Sequence, residues 1–331
     1  MKIKEVIGID VSKLTMDCCV HNSKLQKTFD NNLEAISTMV GWSLENSKTA
    51  KESLLFVFEH TGLYTHQLIQ YLGNNGYLFC VVPGLEIKRS LGITRGKNDK
   101  ADAKRIALYG YRMREEIKPY QMPDKLLGTL KRLMSMRRKL VAQRAGYIAT
   151  LGEQQRVLDS KDDKILFEVQ KAIIAALNAQ VQKIEKELSR LIDQDPKLQN
   201  LYKLLISVKG IGAVTARFLI VYTVGFTTFE NWRKFASYCG TAPFSNSSGT
   251  SIKGRTKVSH LANKNGKTLL NLCATSAIQS SPEMKAYYER RIAQGKNKMS
   301  TLNIIRNKIL ARAFAVVNRG TPYVDTMRYA S

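Results

Sequence analysis

VIGIDVSK (residues 6–13), TMDCCVHN (15–22) and KLQKTFD (24–30) are three short β-rich runs divided by polar turns. Runs and connections of that length predict a meander of antiparallel strands. An amphipathic helix is expected next, over NLEAISTMVGWSLEN, with Asn31 or Asn32 as its cap, because an asparagine side chain accepts from the open amides of a first turn. LLFVFE (54–59) is continuously apolar up to its final glutamate, the pattern of a buried strand. TGLYTHQLIQYLGNNG (61–76) predicts a helix closed by Gly76, YLFCVVP (77–83) a further buried strand ending at Pro83, and NDKADAKRIALYG (98–110) another helix.

Three strands, helix, strand, helix, strand, helix is the element order of the ribonuclease H fold, and other mixed α/β sheets share it. The chain's 331 residues allow two globular domains plus a connecting element. Lysine and arginine total 52 against 27 acids, a net charge of +25. Such an excess attracts polyanions. No apolar run approaches the roughly 20 residues of a spanning helix, and the N-terminus MKIKEVIGID has no signal-peptide layout. A nucleic-acid partner is therefore expected, with no membrane. The five cysteines show no CxxC pair and mostly sit in apolar surroundings, which argues for buried thiols and against structural zinc.

Apolar residues at Leu126, Leu130, Leu133, Leu140, Tyr147, Leu151 and Leu158 follow a seven-residue repeat interrupted by Arg137, Arg144 and Gln154, and Ile174, Leu177, Val181, Ile184, Leu188 and Leu191 alternate spacings of three and four without a break. Both predict coiled-coil-like helices, as a hairpin or as two arms of a dimerisation element. Asp195-Pro196 ends the second, and a mainly helical region follows. There Gly210-Ile211-Gly212 resembles a helix-hairpin-helix turn, whose amides contact phosphate, and reads equally well as a glycine turn between packed helices. After residue 206 the acids reduce to Glu230, Glu283, Glu289 and Asp325, while Lys253, Arg255, Lys257, Lys264 and Lys267 crowd one stretch, the expected nucleic-acid surface.

Asp10 and Glu59 each close an apolar strand, and Asp99 and Asp102 lie three apart on one helix face. Singly, each is a turn residue, a helix-terminus charge or a solvated partner for a lysine. Jointly, in an element order that gathers those strand ends, they form a hard-oxygen set suited to Mg2+ or Mn2+ and to metal-assisted phosphoryl transfer. Ser245, Ser247, Ser248 and Ser251, in a glycine-containing stretch, read by composition as a mobile loop with His260 as the nearest histidine.

GIDVSK with Asp10, FEHTGLY with Glu59, NDKADAKRIA with Asp99 and Asp102, the central helices, VKGIG, and CGTAPFSNSSGTSIKG followed by Lys264-Asn265-Gly266 occur in that order along the chain. In this the whole sequence resembles the insertion-sequence transposases of the DEDD class, the "IS one-ten" family, which includes Piv-like invertases and bridge-RNA-guided serine recombinases. The resemblance implies a RuvC-like (ribonuclease H fold) domain over 1–124, coiled-coil helices over 125–195 and a serine-bearing transposase domain over 196–331. It implies four metal ligands, Asp10, Glu59, Asp99 and Asp102, and a serine before a glycine that forms a phosphoserine link to DNA. Aligned on Gly240-Thr241-Ala242-Pro243, that serine is Ser248, with Ser247 its neighbouring alternative. Asn265, between Lys264 and Gly266, departs from the commoner family pattern.

The C-terminal region has bases but too few acids to hold metals. A composite site is therefore expected, in which Ser248 approaches the carboxylates, in cis or across a subunit boundary of a dimer or tetramer. The resemblance further implies donor and target DNA as the substrates, a bridge RNA as the guide, and a bacterial cytoplasm near the nucleoid as the setting. Two rivals share part of this sequence: a junction-resolving nuclease that uses water, and a non-catalytic DNA-organising protein.

Overall fold

β1 (Glu5–Val11), β2 (Thr15–Val20) and β3 (Gln26–Asp30) form the antiparallel meander, with Ile9 opposite Cys18 and Cys18 opposite Lys27. This is a computed structural model, and it describes residues 3–90, 99–122, 124–159, 161–248 and 252–324. The chain divides into two compact units, Met1–Met122 and Pro123–Ser331.

In the first unit the chain continues through α1 (Leu33–Ser47), β4 (Leu54–Glu59), α2 (His66–Asn74), β5 (Leu78–Val82), α3 (Gly84–Ser90) and α4 (Asp99–Met113). Asn32 caps α1 by accepting from the Ala35 amide at 2.9 Å. The strand order is β3-β2-β1-β4-β5, with β4 parallel to β1 and β5 parallel to β4, so the sheet is mixed. Strand alternation sends Ile7, Ile9, Phe56 and Phe58 into a core with Ile36, Met39 and Leu68 of α1 and α2. The alternate residues Val6, Leu55 and Val57 pack on the other face with Ile106 and Tyr109 of α4. Both faces being covered explains why LLFVFE has no polar alternation.

In the second unit α5 (Lys125–Gln154) and α6 (Lys164–Asp193) pack along each other as a hairpin. Arg137 bridges to Glu185 at 2.6 Å, and Arg144 donates to the Asn178 amide oxygen at 2.7 Å. The predicted stripe is only partly buried. Leu130 is 1% exposed, but Tyr147 is 39% and Leu158 38% exposed. Near the α7 end the hairpin's residues Leu130, Leu188 and Ile192 share a core with Leu205, Phe218 and Ile309, whereas towards its tip the two helices bury Phe167 and Gln170 and leave Tyr147 and Leu158 partly open.

The unit continues with α7 (Pro196–Ser207), α8 (Ala213–Tyr222), α9 (Trp232–Tyr238), β6 (Pro243–Ser248), β7 (Ile252–Val258), α10 (Lys264–Ser280), α11 (Pro282–Ala293) and α12 (Lys298–Arg319). The antiparallel pair β6–β7 corrects the sequence reading of residues 245–248 as loop. Threonine and serine in short polar strands lack the apolar alternation by which strands are recognised. Among the described residues, no helix is long and apolar enough to cross a membrane.

Candidate functional site

Glycine placement fixes where α4 lies. A methyl group on Gly8 would stand 2.2 Å from the Ala107 amide nitrogen and 2.4 Å from the Ala103 carbonyl oxygen, and one on Gly110 would meet Val57 and Val6 at 2.7 and 2.9 Å. α4 therefore rests directly on the β1–β4 pair and runs antiparallel to it, its N-terminus toward the strands' C-terminal ends. Alternation puts Asp10 on the same face as Gly8, and Glu59 on the same face as Val57.

The register Ile9 to Phe58 is the last pair before Asp10 and Glu59, so these two acids are neighbours on adjacent parallel strands, which lie about 4.8 Å apart. From Ala103 back to Asp99 a helix rises about 6 Å. From Gly8 to Asp10 a strand advances about 6.6 Å. The first turn of α4, carrying Asp99 and Asp102, thus begins level with the Asp10–Glu59 pair.

Asp102 is held by Arg105 at 2.7 Å, one turn along the same helix. Glu59 lies against the backbone of Gly84, where an added methyl would fall 1.9 Å from its Oε1. Gly84 opens α3, and α3 is tied to α4 by the Tyr109 hydroxyl, which donates to Glu86 Oε1 at 2.6 Å. Burial and that carboxylate push the Tyr109 phenol well above its ordinary value, so it stays protonated as the donor. Sequence reasoning missed the Gly84 cradle, because Pro83-Gly84 reads as a turn and gives no sign of a through-space neighbour.

The side chain of Asp99 lies outside the described residues. Among the described residues, no three aspartate, glutamate, histidine or cysteine side chains are gathered closely enough to hold a metal ion. Two of the four expected ligands, Asp10 and Glu59, are side by side, and Asp102 is turned into an ion pair. The donor set remains one of hard oxygens on a single sheet face, with Glu59 seated against backbone, which fits a divalent magnesium-type ion.

In the second unit Ser248 ends β6 directly opposite Ile252, and Ser247 lies opposite Lys253. The side chains of Ser247, Ser248, Lys253 and Arg255 lie outside the described residues. The base of this hairpin is firmly held. Thr241, fully buried, accepts at its carbonyl from Asn303 Nδ2 at 2.9 Å and Asn307 Nδ2 at 3.0 Å, both on α12. Gly240 precedes it at φ +65°, and a methyl there would stand 2.6 Å from Ala262 Cβ.

Lys257 and Lys264 are exposed and Lys267 half-buried, the last two on the first turn of α10. Gly210 has φ +92° and packs so closely on α10 that a methyl would meet the Cys273 carbonyl at 2.6 Å, whereas one on Gly212 would meet nothing. The first glycine is thus required by packing and the second leaves the α8 amides open. His260 is exposed, two residues beyond β7. All five cysteines are free and buried. Burial raises their thiols, Cys80 to about 11 and Cys239 to about 12, so none offers a thiolate nucleophile near neutrality.

Acids at the ends of the central strands, with a helix N-terminus beside them, form a hard-oxygen face of the kind that suits a divalent ion. Residues 7–159 match the family model for the DEDD transposases of IS110, described as Transposase, and residues 202–289 match the Transposase IS116/IS110/IS902 family. The chain is 27% identical to the pilin gene-inverting protein of Moraxella bovis over 97% of this chain and 98% of that protein, and equally so to that of Moraxella lacunata. It is 30% identical, over 46% of this chain and 37% of the relative, to a 43.6 kDa protein of insertion element IS110 from Streptomyces coelicolor. The chain belongs to the IS110 family of transposases, and it is a DNA transposase/recombinase.

Proposed function

We propose that the chain cuts and rejoins donor and target DNA of an insertion sequence through a phosphoserine intermediate, with Asp10, Glu59, Asp99 and Asp102 holding Mg2+ or Mn2+ and Ser248 as nucleophile. The observation that carries the reading is the neighbouring pair Asp10 and Glu59 on the sheet face covered by α4. A divalent ion bound there supplies positive charge to a phosphodiester at the moment its oxygens gain negative charge. Ser248 Oγ forms the new bond to phosphorus. The P–O3′ bond breaks, the serine proton is lost, and the 3′-oxygen departs as a hydroxyl after taking up a proton. The phosphodiester energy is kept in the serine ester, so the reverse attack by a 3′-hydroxyl of the new partner rejoins DNA without ATP.

The chain's own residues do the positioning. Gly84 leaves room for Glu59, the Glu86–Tyr109 bond holds α3 to α4, and the Thr241–Asn303–Asn307 contacts anchor the strand that ends in Ser248. Lys253, Arg255, Lys257, Lys264 and Lys267, with the open turn at Gly210 and Gly212, would carry DNA or guide-RNA phosphates. Assembly as a dimer or tetramer is supported by apolar side chains left uncovered towards the hairpin tip, where Ile148 is 50% and Val157 84% exposed. Joining two DNA molecules also needs at least two cutting centres.

The test is a denaturing separation of protein incubated with DNA from either side of its own coding region, followed by mass spectrometry of the protein-linked nucleotide. The expected link is on the peptide bearing Ser248, lost in Ser248→Ala and kept in Ser247→Ala. Unchanged recombination by Ser248→Ala would overturn Ser248 as the nucleophile, with a link retained on its peptide pointing to Ser247 and no protein-linked nucleotide pointing to water. Sequencing RNA that copurifies with the protein tests the guide.

A further inference from the structure

Four helices of the second unit, α5, α6, α8 and α10, enclose a cavity of about 120 Å3 lined by Arg137, Arg138, Arg217, Tyr222 and Asn265 over an apolar floor, with no carboxylate in its wall. Arg217 is 6% exposed. Its Nη2 donates to Ser189 Oγ at 2.8 Å, and its Nε has no partner among the described residues. No acid of the described residues lies within ion-pair distance of it, although Glu185 and Asp193 line a neighbouring open groove that Arg217 also lines. Glu185 is already engaged by Arg137. Arg138 is exposed and forms no ion pair among the described residues.

A cation withdrawn from water without a counter-charge is costly, and proteins keep such groups where an anion will meet them. Helical side chains lean toward the N-terminus of their own helix, so Arg217 covers the first turn of α8, whose residue Val214 also lines the cavity. That helix has Gly212 at its N-cap, with no side chain to occupy the free amides. Uncapped amides and the positive end of the helix dipole favour an anion. The space exceeds the roughly 30 Å3 that a water occupies in the liquid and suits a tetrahedral oxyanion.

We infer that this cavity is a phosphate site, taking one phosphodiester of the nucleic acid held by the second unit, with Arg217 and Arg138 as its cationic ligands and the Asn265 amide as a donor. The inference rests on the chain's acting on nucleic acid, and it is independent of which residue is the nucleophile.

The experiment is a salt titration of binding by the full chain, followed by fluorescence anisotropy, with labelled duplex DNA and labelled RNA transcribed from beside the coding region. Variants are Arg217→Met, which keeps the packing volume, and Arg138→Gln, an exposed change that leaves the core alone. Each lost phosphate contact lowers the slope of log K against log salt by about 0.9 on duplex DNA or about 0.7 on single strands. Both variants are expected to show that loss, with affinity reduced about tenfold at moderate salt. Loss on DNA alone assigns the site to the substrate, and loss on RNA alone to a guide. Slopes equal to wild type for both variants on both nucleic acids, or a wild-type chain that binds neither, would overturn the site. Should Arg217→Met fail to fold, Arg138→Gln alone decides. Ser248→Ala is expected to retain the wild-type slope, so failure of the serine mechanism leaves this result standing.

Discussion

His21 is 8% exposed and stacks on Tyr111 at 4.1 Å, with its Nδ1 unpartnered among the described residues. Burial, and then the charges of Lys24, Arg114 and Arg112, lower its pKa from 6.5 to about 4. A depressed folded value means that the unfolded chain binds the proton more readily. Stability from the neutral ring is therefore complete above pH 6.5 and drains away as pH falls through about 4. Urea unfolding followed at pH 7 and pH 4.5 is expected to lose about 1–3 kcal/mol from this group, and His21→Phe, which keeps the stack, is expected to flatten that dependence. Gly84→Ala makes a second residue-scale prediction. Its methyl would occupy the place of the Glu59 carboxylate, and a displacement of about 1 Å in a catalytic group costs on the order of 100-fold. Strand-transfer assays are expected to show that loss while circular dichroism stays that of wild type.

At the scale of elements, α4 is the part that assembles the acids, and its seat is Gly8. In Gly8→Ala the new methyl would meet backbone atoms of Ala103 and Ala107, which have no rotamer by which to withdraw. α4 must lift from the sheet, which is expected to lower the stability of the first unit by about 1–3 kcal/mol in thermal unfolding and to reduce activity along with it. This unit was largely legible in the sequence, because its information is local. Strand runs, Asn32, Gly76 and Pro83 each sit where their chemistry acts, and Asp10 and Glu59 stand at strand ends that parallel pairing makes adjacent. Contacts between remote positions were not legible. Gly84 under Glu59 and Glu86 bound to Tyr109 leave no periodic trace. The β6–β7 hairpin escaped for a different reason: its strands are polar, and their pairing is visible only in backbone register.

Across the whole molecule the charges are segregated by task. The acids that suit a divalent ion lie in the first unit, and the second, which carries Ser248, holds few acids beyond residue 206, of which Glu283 is already spent on Arg312 at 2.5 Å. Formation of a serine ester of DNA gains from a divalent ion, which the residues around Ser248 have few acids to hold. In the proposed mechanism the carboxylates and the serine act in one reaction, and the most direct test is the yield of covalent protein–DNA adduct in Asp10→Asn, which retains Ser248 untouched. With Mg2+ or Mn2+ present, adduct formation is expected to fall by about 1,000-fold, to the level seen in Ser248→Ala. Adduct formed by Asp10→Asn at the wild-type rate would contradict it.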